Sequence, residues 1–338
     1  MKILLTLGTS AGGVGRHVRT LADGFEARGH EVVVAGPAET RRRFGFTQTF
    51  AEVPVSDRPH PVNDARTVAV LRRIRADVVH AHGLRAGALA ALARPRRLVV
   101  TLHNAVTAGG AIGAVYATLE RVVARRADVV LGVSPDLCER MTALGARAVA
   151  PAVVPAPPLA DLPATTEFGG RTVLLTVARL AQQKGLEVLL DAAAGPYSED
   201  VVFAVAGEGP LREALQERVT RENLPVTLLG PRDDVAALLK AATALVVPSR
   251  WEGQPLTVQE ALRAGVPVVG FAVGGVPLMT GDAGLLVTPG DAGELRSALL
   301  RLLADDGLVD GLRAAALARG RALPGEADAV EAALKNYG

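Results

Sequence analysis

PSRWEGQPLTVQEALRAGVPVVGFAVGGVP, residues 248–277, decides the reading of this chain. It opens where the apolar run ALVV (244–247) ends, carries two carboxylates, Glu252 and Glu260, and runs through a second apolar stretch, VPVVGF, into a Gly274-Gly275 turn. Apolar run, polar loop, amphipathic stretch and apolar run have the rhythm of strand, loop, helix and strand. Open α/β sheets bind their ligands beyond the carboxyl ends of parallel strands. Glu252 is therefore placed in a loop that can face a reacting group. Glu260 falls on a helix beginning near Leu256 or Thr257, where it can hold another part of the same ligand. Their separation is not legible in sequence, so the paired acids of a glycosidase, about 5 Å or about 6.5–9.5 Å apart, stay open as an alternative.

Outward from this stretch the same alternation recurs. TVLLTVA, VVFAVAG and PVTLLG read as strands before it, with helices expected at 184–194 and 211–220, and GLLVTPGD as a last strand after it. Helices are expected at 292–303, 308–318 and 326–336. The first half reads KILLTL, a GTSAGGVG turn, a helix over 14–28, and then GHEVVVAGP, DVVHAHG, RRLVVTLHN and ADVVLGVS as further strands. RRRFGF and FAEVPV are taken as a short strand pair. Between the halves, PAVVPAPPLADLPATTEFGG holds five prolines and no sustained periodicity, which marks a connection at 151–170. The fold class that follows is α/β, two parallel sheets covered on both faces. The domains expected are residues 1–155 and 156–322, followed by a helical segment, 323–338, whose return to the first domain the sequence pattern leaves open.

Arg179, directly after a strand, and Lys184, near the next helix start, form the clearest cationic pair. A guanidinium fork and a flexible ammonium can share the charge of a diphosphate. Gly12-Gly13 and Gly274-Gly275 lie in turns that permit close backbone approach. Neither a GxGxxG fingerprint nor a GxxxxGK[ST] sequence occurs. His103, just past VVTL, suits either substrate contact or a structural role. His80 and His82 are expected on opposite faces of their strand, leaving no ready metal pair. Cys138 is read as packing, and Asp233-Asp234 as a helix start.

With 37 Lys plus Arg against 35 Asp plus Glu, the formal charge is only +2, and aromatics make up 3% of the chain. That balance disfavours a nucleic-acid surface. One cysteine precludes an internal disulfide. No apolar run of 18 residues occurs. A cytoplasmic protein is expected. Peripheral contact with the inner face of the membrane stays open, through the basic helix around 112–126.

Taken in order, GGVGRHVRTLADGFEARGHEV, DVVHAHG, TLHN, VARLAQQKG, VAGEGP, VVPSRWEGQPLTVQEALRAGVPVV and VGGVP resemble the retaining, nucleotide-sugar-dependent glycosyltransferases of family 4, which have the GT-B fold. The resemblance implies two Rossmann-like domains facing a central cleft, the first binding the acceptor and the second the donor. It puts Arg179 and Lys184 on the donor diphosphate, Glu260 on the ribose hydroxyls, and Glu252 and His103 against the transferred sugar. Gly274 and Gly275 would lie near sugar and phosphate, and Gly12 and Gly13 would approach the reacting centre. It implies no catalytic metal and no cofactor beyond the nucleotide-diphosphate sugar donor. The acceptor bears a hydroxyl and is of open class, lipid-linked or a small molecule. A nucleotide-sugar 2-epimerase and a non-catalytic nucleotide-sugar sensor are the alternatives. Two departures stand out: Gly15 occupies the place of the glutamate in GGxE, and VVPAPPLADLP replaces a P-N-G-[VI]-D-like segment.

Overall fold

The computed structural model describes residues 1–10, 12–56, 59–105 and 109–338; Ala11 of the GTSAGGVG turn therefore lies outside the described residues. The chain divides into two compact units, Met1–Pro155 joined by Pro324–Gly338, and Ala156–Leu323.

Among the described residues the first unit is built on seven strands: β1 (Lys2–Leu7), β2 (Glu31–Gly36), β3 (Thr49–Glu52), β4 (Val78–His82), β5 (Leu98–Leu102), β6 (Val129–Gly132) and β7 (Val149–Pro151). They pair in the order β3-β2-β1-β4-β5-β6-β7, every pair parallel. Ile3, Leu4, Leu5 and Leu7 are all fully buried, as expected of a strand covered on both faces. The expected strand at RRRFGF is instead a helix, Ala38–Phe44. Glu39 in its first turn, three arginines in its last and Gly45 in the left-handed region after it satisfy a helix's ends better than a strand's.

The last segment belongs to this unit. Helix Glu326–Lys335 packs on helix Gly13–Glu26 at Gly24, where an added Cβ would stand 2.4 Å from Val330 Cγ2. Tyr337 is 4% exposed, its ring 5.5 Å from that of Phe25, while Arg97 donates to the carbonyls of Asn336 (3.1 Å) and Gly338 (2.9 Å).

The second unit holds β8 (Thr172–Val177), β9 (Val201–Ala206), β10 (Val226–Gly230), β11 (Ala244–Val247), β12 (Val268–Phe271) and β13 (Gly284–Val287). Their order is β10-β9-β8-β11-β12-β13, again all parallel. Alternate residues of the strands feed two cores. Leu174, Phe203, Val246 and Phe271 meet Leu189 and Leu299 on one face, and Val173, Leu175, Val202 and Val268 meet Leu238 and Leu262 on the other. In each sheet the strand order reverses once, between β1 and β4 and between β8 and β11, which is where an open sheet offers a crevice at its carboxyl edge. Among the described residues no helix is long and apolar enough to cross a membrane.

Candidate functional site

In the second unit the predicted residues gather at the carboxyl ends of β8, β11 and β12, which are neighbours in the sheet. A 3-10 turn, Gln182–Lys184, precedes helix Leu186–Ala193, so Lys184 ends a tight turn rather than starting the helix. That turn is tied to the loop after β11: Arg250 N–H donates to Gln183 O at 2.8 Å, and Gln183 Nε2 donates to Trp251 O at 3.1 Å. Gly185 closes it at φ +60, so tightly that a Cβ there would stand 2.0 Å from Pro248 O. The result is an ion pair from Lys184 Nζ to Glu252 Oε1 at 2.5 Å. Glu252 is 7% exposed, and the same oxygen accepts a bond from Ser249 Oγ at 2.6 Å. Removing one partner of an ion pair at this depth costs more than at the surface, because it leaves the other charge desolvated and unpaired.

Arg179 is exposed, and its guanidinium makes no hydrogen bond or ion pair among the described residues. Its backbone is fixed from below. Leu180 N–H donates to Glu208 O at 3.0 Å, and Gly207, at φ +144, lies so close to Ala178 that a Cβ would stand 1.9 Å from its carbonyl oxygen. The backbone N–H groups of Ala181 and Lys184 then chain Arg179 to Lys184 through bonds of 2.8 and 2.9 Å. Glu260 lies half-buried on helix Leu256–Arg263, as the sequence predicts. Arg263 and Gln259 of that helix hold residues 156 and 157: Arg263 donates to Ala156 O (2.6 Å) and Pro157 O (3.1 Å), and Gln259 Oε1 accepts from Ala156 N–H (2.9 Å). Gly275 commits its N–H to Glu252 O at 3.0 Å, and Gly274 sits at φ +51 against that same carbonyl. The glycine turn therefore fixes the Glu252 backbone.

In the first unit a cavity of about 360 Å³ opens at the carboxyl ends of β1, β4 and β5, lined by Ser10, Val14, His82, His103, Asn104 and Tyr116 among others. Ser10 and Val14 flank the first glycine turn. Gly13 begins the following helix, and a Cβ on Gly12 would meet none of the described residues within 4 Å. Gly15 is different: a Cβ there would stand 2.1 Å from the Phe44 ring, so a glutamate has no room beneath the helix Ala38–Phe44.

His103 stands half-buried at the cavity wall, its Nε2 3.2 Å from His82 Nδ1. His80 and His82 do not face opposite ways. Their ring centroids are 4.2 Å apart, because residues two apart on a strand share a face. His17 joins them, its ring centroid 5.5 Å from that of His82 and 5.7 Å from that of His103. His80 sits between Tyr337 Oη (2.6 Å) and Thr101 Oγ1 (2.7 Å). Burial lowers His17 to about 4 and His80 to about 3, the latter helped by His17, and holds His82 and His103 well below the usual imidazole value. The cluster is thus neutral at physiological pH. Among the described residues no three His, Cys, Asp or Glu side chains converge as a metal would require. Cys138 is half-buried, and burial pushes its thiol up.

Sequence reasoning missed His17, Ser249, Gln183 and Tyr337. Only the i, i+2 spacing of DVVHAHG, counted correctly, would have pointed to the cluster.

Two family patterns match the chain: "Glycosyl transferase 4-like domain" over residues 12–157 and "Glycosyl transferases group 1" over 171–305. The 2-deoxystreptamine N-acetyl-D-glucosaminyltransferase of Streptomyces fradiae is 36% identical over 183 residues, covering 50% of this chain but only 42% of that relative. The phosphatidyl-myo-inositol mannosyltransferase of Mycobacterium leprae is 30% identical over 330 residues, covering 87% of this chain and 84% of the relative. The crystal structure of Anabaena HepE in complex with UDP and glucose superposes with a TM-score of 0.81 at 20% identity, covering 99% of this chain and 98% of that one. At that identity the likeness carries the fold.

Proposed function

The chain belongs to the glycosyl transferases of group 1, with the GT-B fold, and from that premise we propose that it moves a sugar from a nucleotide-diphosphate sugar to an acceptor hydroxyl with retention of anomeric configuration. The observation that carries this reading is the Lys184–Glu252 pair, locked at the carboxyl edge of β8 and β11 and close in sequence to Arg179, whose guanidinium has no partner among the described residues. Arg179 and Lys184 meet the donor diphosphate, Glu260 the ribose hydroxyls, and Glu252 and His103 the transferred sugar. Gly274 and Gly275 keep the Glu252 loop in place, and Gly12 and Gly13 leave the first turn open to the reacting groups. The first unit takes the acceptor and the second the donor.

As the acceptor hydroxyl approaches on the face the leaving group departs from, charge develops on the diphosphate, and its oxygen can take the acceptor's proton. Two cations, Lys184 held by Glu252 and Arg179 on a fixed backbone, stabilise that charge without a resident metal, and a lost donor of this kind costs roughly 3 kcal/mol in other enzymes. HepE is solved with UDP and glucose, and two relatives are named for 2-deoxystreptamine and phosphatidyl-myo-inositol, so UDP-sugars and hydroxylated rings head the panel to be tested.

The test incubates the protein with a nucleotide-sugar panel and an acceptor extract, with chelator and then with divalent metal, and follows nucleotide release and acceptor mass. One glycosyl mass gained on an acceptor, in chelator, supports the proposal. An isomerised free sugar, or donor binding with no product, overturns it.

A further inference from the structure

We infer that His82 is a positioning residue that holds His103 in the tautomer protonated at Nδ1, so that the side chain facing the cavity is a hydrogen-bond donor and not a base. His82 Nδ1 and His103 Nε2 lie 3.2 Å apart, so one of the two must carry the shared proton. Each ring is neutral and carries a single N–H, because burial disfavours the imidazolium. Two arrangements satisfy this. If His103 donated, the proton of His82 would sit on its Nε2, which is buried and has no hydrogen-bond partner among the described residues. That would leave a buried N–H unpaired, which folded proteins rarely tolerate. If His82 donates from Nδ1, the orphaned atom is only a lone pair.

The second arrangement fixes His103 as well. Its Nε2 accepts, its proton moves to Nδ1, and Nδ1 is the nitrogen left for a ligand in the cavity. A free neutral imidazole in water favours the opposite tautomer, with the proton on Nε2, so His82 imposes a state that His103 would not choose alone. The neighbouring rings hold His82 in this orientation: His80 lies against it at 4.2 Å and His17 meets it edge-on at 5.5 Å. The ligand atom this site recognises is an oxygen lone pair of a hydroxyl or ring, on the sugar or on the acceptor.

Nitrogen NMR of the full chain with labelled histidines tests this directly, with the His103 resonances assigned by their loss in His103→Asn. The wild type is expected to show His103 protonated at Nδ1. His82→Asn, whose amide Nδ2–H takes the place of the imidazole Nδ1–H, is expected to keep that tautomer, and His82→Ala to shift it to Nε2–H. Should His82→Ala fail to fold, the wild type and His82→Asn still decide. A wild-type His103 protonated at Nε2, or a tautomer indifferent to His82→Ala, overturns the inference. In transfer assays His82→Ala should lose about 10- to 100-fold in kcat with little change in donor KM, the scale of a displaced reacting contact, and His82→Asn should recover most of it. Only that kinetic arm rests on the reading of His103 as a contact of the transferred sugar; the tautomer is read without substrate.

Discussion

Lys184 and Glu252 test the donor site one residue at a time. With Lys184→Ala, transfer is expected to fall about 10²–10³-fold in kcat, since the cation acts on charge that develops only as the diphosphate leaves. The same change strands a carboxylate that is 10% exposed at its side chain, so thermal unfolding should show a loss of about 1–3 kcal/mol. Arg179→Ala should lose comparable activity with an unchanged melting temperature, because its side chain is exposed and makes no hydrogen bond or ion pair among the described residues. Gly274→Ala makes a contrasting case. A φ of +51 and a Cβ at 1.9 Å from Glu252 O forbid the side chain, so a loss of about 2–4 kcal/mol is expected in chemical denaturation. At this scale the sequence showed which residues carry charge or lack a Cβ, because type and order are visible in it. The pairing of Lys184 with Glu252 was not legible, since it depends on a turn packed against a loop 68 residues away.

At the scale of elements, the strands were legible because β1, β8 and β9 are nearly continuous apolar runs bounded by glycine or polar residues. The short helix Ala38–Phe44 was not, because its arginines and phenylalanine have neither an apolar stripe nor a strand's alternation, and its ends alone identify it. The histidine cluster links elements that are far apart in sequence, and it makes the first unit sensitive to acid. Unfolding lets His17 and His80 take up a proton near pH 6.5, which the folded chain refuses until about pH 4 and about pH 3. The stability they leave intact is full above pH 6.5 and falls as pH drops from there towards 4, by about 1.4 kcal/mol per pH unit for each group. Melting temperatures should therefore drop with pH across that range, and His17→Phe should make the drop shallower.

For the molecule as a whole, the proline-rich stretch signalled that two α/β units follow one another, while the pairing order of the strands lay beyond reach, since parallel partners are distant in sequence. Tyr337 shows how much the first unit relies on the last residues. Its hydroxyl meets His80 at 2.6 Å in a buried setting, so Tyr337→Phe should cost about 1–2 kcal/mol, read as a lower denaturation midpoint with an unchanged slope. This arrangement also has a bearing on biosynthesis. The ribosome must make all of Ala156–Leu323 before the segment that seals the first unit emerges, a delay of roughly ten seconds or more at ~5–20 residues per second. Through that interval Val330 and Tyr337 are absent from their places against Gly24 and Phe25. The first unit is thus completed only after the second has been made.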